Sequence, residues 1–548
     1  MVTRRRFLHA AGISAAAATV PASVGSPQGE APGGGPALGH GGGRAYGAQD
    51  PPTVLFAFDD HSMPWRYRVK LEMHRPEKYA GNPILSRGAA GQVDARRLQC
   101  CPVIREGGKF RMWYIARDDG PDLVGSYDTG RICYAESDDG LHWTKPSLGL
   151  VDYKGDTDNN ICDIEPGAGN MDVLLQPDGP PERRHLMVIE FMPWRHGWKR
   201  PTLEHPSITR FAASPDGYRW TMLQDEPGVL RQHFEAFCLY RYQGRYHVAG
   251  HIAPPMAYVP LQQHGNVWMC GPKVMAVWRS VDVDNWPLET CHAWSKPMQS
   301  SSPYLSGWDR EDGHLGAYIT PYANVCLGVC GLYHHPITDA PPEKPDFFAE
   351  KVSVDLGLTV SNDGVHFREP APGFVFIGRD QEMSWDRDWK GNTTNGYMLM
   401  LQGPMVNVDE KTLIYYTAFT PTGDTMESKS NLGLATIPRE RFGSLTPVPG
   451  AAFGQAVTCL IRQGAPAELH ANVELGPGGR LDVALTDAEG LEELQGYTMD
   501  DGAPITQSGF RQRIVWRDRA RLPDGDFRIR ARLTGPCRLY ALYPDQTT

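Results

Sequence analysis

Several carboxyl groups in this sequence stand where a strand-like apolar run begins. HFEAFCLYRYQGRYHVAGH (233–251) carries Glu235 beside Phe234 and near Phe237, and GNMDVLLQPDG carries Asp172 just after Gly169 and Asn170. GQVDARRLQCC brings Asp94 to the entry of its run, and FDDH (58–61) sets Asp59 next to Asp60. Two carboxyls brought to one site can do general acid–base chemistry, one protonated as the acid and one ionised as base or nucleophile. A glutamate desolvated by phenylalanines keeps its proton near neutral pH, so Glu235 is the candidate acid. Asp94 is the candidate base or nucleophile, and Asp60 competes for that role. Each also has a plainer reading: Glu235 as a surface residue at a strand start, Asp172 as a turn aspartate, and FDDH as a strand cap.

Residues that could hold a sugar accompany them: Asp59, His61, Arg96, Arg131, His251, Arg310, His314 in REDGHLGAY, and Trp385 with Asp386 in SWDRDW. Aromatic rings beside acids suit sugars, because a flat ring packs against the C–H face of a pyranose or furanose. Arg96, Arg97 and Arg131 would favour phosphorolysis if they gathered at one mouth, and would otherwise be rim charges. No CxxC pair, zinc-type His/Cys spacing or EF-hand loop occurs. No cofactor is therefore expected, although a channel can hold an ion such as calcium without a sequence signature.

A repeated phrase points to the elements that must position these groups. SDDGLHW at 137–143 returns as SPDGYRW at 214–220, as SVDVDNW at 280–286 and as SNDGVHF at 361–367, with the serines 77, 66 and 81 residues apart. Around each copy lie four short runs rich in aromatic and β-branched residues, as in KFRMWYIAR and RICYAES, which predict a four-stranded antiparallel sheet. A fifth unit (YMLMLQGPMVNV, TLIYYTAFT, NLGLATI) lacks the phrase, and TVLFAF (53–58) is the expected closing strand. Sheets of four strands at a fixed period predict an all-β fold, a five-bladed β-propeller over 51–447. The alternating strands of 448–548 predict a C-terminal β-sandwich. In this scheme Asp139, Asp216 and Asp363 are turn residues of the outer rim, and Trp143 and Trp220 are core wedges.

The chain has 548 residues, 41% hydrophobic and 22% charged, with a formal net charge of −10, which exceeds one compact core and places it among soluble globular proteins. The only basic stripe is at the N-terminus, arguing against nucleic acid as a partner, and no later apolar run is long enough to span a membrane. Residues 1–26, with Arg4, Arg5 and Arg6 before Phe7-Leu8 and an Ala-rich stretch, resemble a twin-arginine export signal, and 27–50 read as a Gly-rich linker. This implies the twin-arginine translocase as a partner and a periplasmic or extracellular destination; an ordinary Sec signal is the alternative. Eleven cysteines in a chain folded before export are expected to be mostly buried, reduced thiols.

FDDH, HRPEKYAGNPIL (74–85), RMWY (111–114), YAESDDGLHWTKPSLGLVDYKGDTDNNI (134–161) and LGLATIPRERFGSL (432–445) resemble five-bladed propeller glycosidases related to families 32 and 43, in particular exported bacterial proteins of the "family 32 N-terminal domain-like" kind. The invertase signature of family 32, a WMNDPNG-like stretch, is absent. The resemblance implies an exo-acting glycoside hydrolase with a carbohydrate substrate and an Asp, an Asp and a Glu from the first three blades. Glu235 is similar to the family 43 acid, Asp172 to the aspartate that orients it and contacts the sugar, and Asp59-Asp60 lie where family 43 places its base. The alternative is a carbohydrate-binding or cell-surface propeller without catalysis.

Overall fold

The computed structural model describes residues 53–119, 130–191, 208–225, 234–252, 274–286, 292–294, 311–334, 353–379, 398–401, 403–420, 429–517 and 519–546. The described chain is β-structure throughout, with no α-helix, and no helix is long and apolar enough to cross a membrane. It begins with short strands β1 (Leu55–Phe56), β2 (Trp65–Tyr67), β3 (Val69–Met73) and β4 (Glu77–Lys78). The first repeat then forms β5 (Arg97–Gln99), β6 (Val103–Glu106), β7 (Lys109–Arg117) and β8 (Arg131–Ser137). Strands β5 and β6 pair with opposite halves of β7, as one inner strand broken at Cys100, whose φ is 50°.

The second repeat is β9 (Ala168–Leu175), β10 (His185–Phe191), β11 (Ile208–Ser214) and β12 (Thr221–Met222), hydrogen-bonded in that order. The third is β13 (Phe234–Tyr242), β14 (Arg245–Ile252), β15 (Val274–Ser280) and β16 (His292–Trp294), likewise in order. The fourth comprises β17 (Glu311–Tyr322), β18 (Val325–His334), β19 (Ser353–Ser361) and β20 (Val375–Ile377). The fifth comprises β21 (Met398–Leu401), β22 (Val406–Val408), β23 (Lys411–Thr420) and β24 (Lys429–Pro438).

The fourth and fifth repeats share one nine-stranded sheet, joined by a parallel pairing of Val354 with Met398, and the fifth repeat is completed from the start of the chain, but not by 53–58. Strand β4 pairs with β24 (Ala435↔Lys78, Thr436↔Glu77), and Leu85 bridges to Leu432. The expected closing strand instead joins the C-terminal strands β25 (Gly443–Pro447), β26 (Gly454–Val457), β27 (Ile461–Gln463), β28 (Ala467–Leu475), β29 (Arg480–Thr486), β30 (Gly509–Ile514), β31 (Gly525–Thr534) and β32 (Cys537–Gln546). Leu55 pairs with Leu542, β3 with β25, and β2 with β26. One C-terminal sheet runs β3-β25-β32-β28-β30 and the other β2-β26-β31-β27, with β29 on β31. Leu55, Leu445, Val473 and Leu539 share an apolar core with Val483, Ile529 and Leu533. Pairing therefore groups 55–73 and 443–447 with the C-terminal strands rather than with the repeats, where the sequence had put them. The apolar run of 54–58 is buried on both faces because Leu55 and Ala57 enter this core while Val54, Phe56 and Phe58 pack against Tyr322 and other side chains of the repeats.

The repeated phrase is a self-capped turn. Ser137, Ser214 and Ser361 each accept, at Oγ, the N–H of the glycine three residues on, at 2.8, 2.8 and 2.9 Å. Asp139, Asp216 and Asp363 accept the next two backbone N–H groups at Oδ1. The glycines stand at φ 76–80°, which side chains disfavour. The third copy has no glycine; there Ser280 Oγ donates to Asn285 O at 2.6 Å and Trp286 Nε1 to Val283 O at 2.8 Å.

Each turn packs on the preceding repeat. Trp113 Nε1 donates to Gly217 O at 2.7 Å, Trp286 stacks on Phe211 at 5.2 Å, and Tyr240 hydroxyl donates to Gly364 O at 2.6 Å. The first turn meets the fifth repeat, where Tyr415 hydroxyl donates to Gly140 O at 3.0 Å. Nine described cysteines are buried, in keeping with the expected buried thiols.

Candidate functional site

Strand β9 carries its polar residues on alternate positions, so Asn170 and Asp172 share one face. Asp172 is 1% exposed, and a carboxyl taken that far from water needs hydrogen-bond donors. It has three. Leu239 N–H of β13 donates at 2.6 Å, Val173 N–H at 2.7 Å, and the Tyr318 hydroxyl of β17 supplies the third. Strands from the second, third and fourth repeats thus meet at one carboxyl. Burial pushes the Asp172 pKa up to about 7 against the pull of these donors, so the group exchanges a proton near neutrality.

Two residues nearer the start of β9, Asn170 Nδ2 donates at 2.6 Å to Oε2 of Glu190, a wholly buried acid facing it on β10. Gln99 Nε2 of the first repeat donates to Gly169 O at 2.7 Å, and Arg117 Nη2 to Ala168 O at 3.2 Å. The Cys100 thiol lies 3.6 Å from Asn170 Oδ1. Its pKa is pushed up to about 12, mainly by burial, with the Asp172 and Glu190 charges adding to the effect; it therefore sits within the field of both acids. At the same end of β7, Arg97 pairs with Arg117, Arg96 N–H donates to Arg117 O at 3.0 Å, and Arg131 pairs with Ala116. The Arg131 guanidinium lies 5.5 Å over Tyr153, whose hydroxyl donates to Asp118. Buried acids and amides thus gather here with Arg97 and Arg117, whereas Arg131 lies over Tyr153 on the other face of the first sheet.

Of the expected residues Asp172 belongs to this neighbourhood; Arg96 borders it through its backbone N–H, and Arg131 lies on the other face of the first sheet. Glu235 pairs with His251 near the start of β13, four residues before Leu239, and His314 lies in β17 where the ladder to β18 is interrupted between Asp312 and Ala317. Arg310, Trp385 and Asp386 lie outside the described residues.

Asp94 and the FDDH acids stand elsewhere. Asp94 is 3% exposed and ion-paired to Lys145 at 2.6 Å, with the Tyr114 hydroxyl donating at 3.0 Å. Lys145 also donates to Ser86 O at 2.9 Å, so this pair ties the first repeat to the segment that completes the fifth. Asp59 is buried, accepting from Ser62 Oγ at 2.6 Å, Asn362 Nδ2 at 3.1 Å, His61 N–H at 3.1 Å and Arg368. Asp60 is exposed and accepts from Arg368 Nε at 2.7 Å; partial burial raises its pKa, but Arg368 more than offsets this and holds it below the ordinary value. Asp59 and Asp60 are thus tied to the fourth repeat's rim turn through Arg368 and Asn362, with His61 adding its backbone N–H to Asp59.

Sequence reasoning passed over Asn170, Glu190, Arg117 and Tyr318. The available signal was a lone acid inside the otherwise apolar HLMVIEF. Among the described residues no three His, Cys, Asp or Glu side chains gather as a metal-holding group.

No family model matches the chain. Among curated proteins it is 27% identical over 108 residues to two uncharacterized proteins of Mycobacterium tuberculosis, from strains CDC 1551 and H37Rv. The match covers 18% of this chain and 34% of theirs, so the chain spans about a third of the length of these relatives. Solved structures similar to it include a glycosyl hydrolase from Bacteroides ovatus, at 14% identity and TM-score 0.38, covering 66% of this chain and 94% of that one. Another belongs to the family 130 mannoside phosphorylases and hydrolases, described as targeting β-1,2 mannosidic linkages in Candida mannan, at 14% identity and TM-score 0.39, covering 67% and 95%. A third is an N-acetylgalactosamine deacetylase from F. plautii, at 11% identity and TM-score 0.40, covering 68% and 96%. Similarities of this size carry no residue role across.

Proposed function

We propose that this protein is a glycoside hydrolase, exported through the twin-arginine translocase and exo-acting, built as a five-bladed β-propeller with a β-sandwich. Four turns that dock in order, the second, third and fourth each on the repeat before and the first on the fifth, and a fifth repeat completed from the chain's start, support the propeller. Two C-terminal sheets sharing one apolar core support the sandwich.

The observation that carries the functional reading is Asp172: a buried carboxyl poised near neutrality where three repeats meet, with Glu190 held beside it through Asn170. Propeller inner strands run the same way, so Glu235, four residues before Leu239, opens its strand toward the Asn170 end. Glu235 then serves as the acid, Glu190 takes the base or nucleophile role expected of Asp94, and Asp172 holds the proton that orients and stabilises them. A carboxyl separation of about 5 Å would give retention and a wider one inversion. Arg97 and Arg117, which share one face of the first sheet beside Ala168, favour phosphate as an alternative acceptor to water.

A second reading, a glycan-binding propeller without catalysis, is favoured by the ion pair that occupies Asp94. A screen of aryl glycosides and oligosaccharides, with and without phosphate, separates the two. Sugar release that is lost in Glu235→Gln and in Glu190→Gln is expected. Release unchanged in both would remove this assignment, and glycan binding without release would establish the second reading.

A further inference from the structure

Four large apolar side chains stand in solvent among the described residues, and three border one C-terminal sheet: Trp65 at 42% exposure, Tyr67 at 52% and Leu491 at 75%. Trp65 and Tyr67 flank Arg66 on edge strand β2, so the strand period puts both rings on one face, about 7 Å apart along the strand. Across the sheet they are in register with Val457 and Gln455 of β26 and Arg530 and Arg532 of β31. Phe453, just before β26, adds a third ring 6.4 Å from Tyr67.

The guanidinium groups on this face divide into two kinds. Arg528 lies 4.3 Å over Trp65 while donating to Ala488 O at 2.6 Å and Thr458 O at 3.2 Å, which fixes the ring from below. Arg530 is likewise occupied, by Gly490 O and Glu493. Arg68, 5.2 Å over Tyr67, and Arg532, 5.4 Å over Phe453, have no ion-pair partner among the described residues, and Arg532 Nε is buried without an acceptor.

We infer that this face docks a uronate-containing polysaccharide. Neighbouring rings on one face offer apolar surface for the C–H faces of successive sugars, and the guanidinium groups without an ion-pair partner offer forked donors matched to carboxylates. The protein's net charge is −10, so two unneutralised arginines beside exposed rings mark a local complement to an acidic ligand. A second copy of the chain fits less well, since a two-fold contact sets arginine against arginine. The inference rests on the protein acting on glycans, but its test involves no turnover.

Affinity electrophoresis tests it, with polygalacturonate or alginate cast in the gel and dextran as the neutral control. Retardation by a uronate polymer and not by dextran is expected, weakening as salt rises. Tyr67→Ala and Arg532→Gln should each weaken it at least about fivefold. Arg68→Asn, which suits the left-handed backbone there (φ 51°), should do the same and serves if Tyr67→Ala does not fold. Glu190→Gln and Glu235→Gln should leave retardation unchanged, so failed docking and failed cleavage are distinguishable. The inference is overturned by unaltered mobility in both uronate gels, by equal retardation in dextran, or by indifference to the docking-face variants. Binding to phosphatidylserine vesicles without uronate retardation, or a dimer dissociated by Tyr67→Ala, would overturn it as well.

Discussion

The hydroxyl of Tyr318 donates to the carboxyl of Asp172, so an ionisable group of the second repeat is tied to the fourth in a space closed to solvent. The folded protein holds this carboxyl at about pKa 7, against an ordinary 3.8 once the chain unfolds. Between these values the native state carries the extra proton. Its stabilising contribution is full below the unfolded value and is lost as pH rises through the folded one, on the order of 4 kcal/mol in all. Asp172→Asn should flatten this component between about pH 4 and pH 7 in urea unfolding. Tyr318→Phe removes a donor to the ionised form and should move the loss to higher pH. Parallel profiles for wild type and Asp172→Asn would remove the claim.

Lys145→Met leaves the Asp94 carboxylate buried without its countercharge. A loss of about 2–4 kcal/mol is expected, and Asp94→Asn in the same chain should restore most of it. A urea double-mutant cycle measures both, and additive losses would show the pair to be uncoupled.

Gly217 and Gly155 separate backbone strain from packing. Both have positive φ, 80° and 86°, but a Cβ on Gly217 would lie 2.6 Å from Arg111 Nη2 and 2.8 Å from the Trp113 ring, whereas Gly155 has open space. Gly155→Ala should cost about 1–2 kcal/mol, and Gly217→Ala roughly 2 kcal/mol more, because its turn would lift off the first repeat. Equal melting temperatures for the two variants would mean that the turn does not seat the repeat.

Of the eleven cysteines, nine are described as buried thiols, so at most two should react rapidly with an aromatic disulfide reagent in the native protein. Cys101, Cys133 and Cys238, whose thiols burial pushes well above the ordinary value, should be among the last labelled. A third fast thiol would contradict the packing.

The repeats were legible because a self-capping turn fixes Ser, Asp, Gly and an aromatic residue at set positions. The completing strand was not. Its two paired residues are Glu77 and Lys78, charged and too short to show alternation, whereas TVLFAF has the composition of any buried strand. The site divides similarly. Asp172 stands out beside Gly169-Asn170, but Glu190 lies in an apolar strand and shows as an acid of interest only once Asn170 faces it. Asp94 looked like a base because strand entry was visible, while Lys145, its neutralising partner fifty residues on, was not.

Strand β1 takes its partner from β32, and β4 takes its partner from β24. During synthesis the earliest strands therefore wait unpaired until nearly the whole chain has been made, and closing such long loops is slow. Their exposed edges are an aggregation hazard for as long as the wait lasts. A truncation lacking β32 strands residues 55–58 as well as its own sheet, so the first and last segments stand or fall together. A chaperone that shields the N-terminal region would act on the step that completes the molecule.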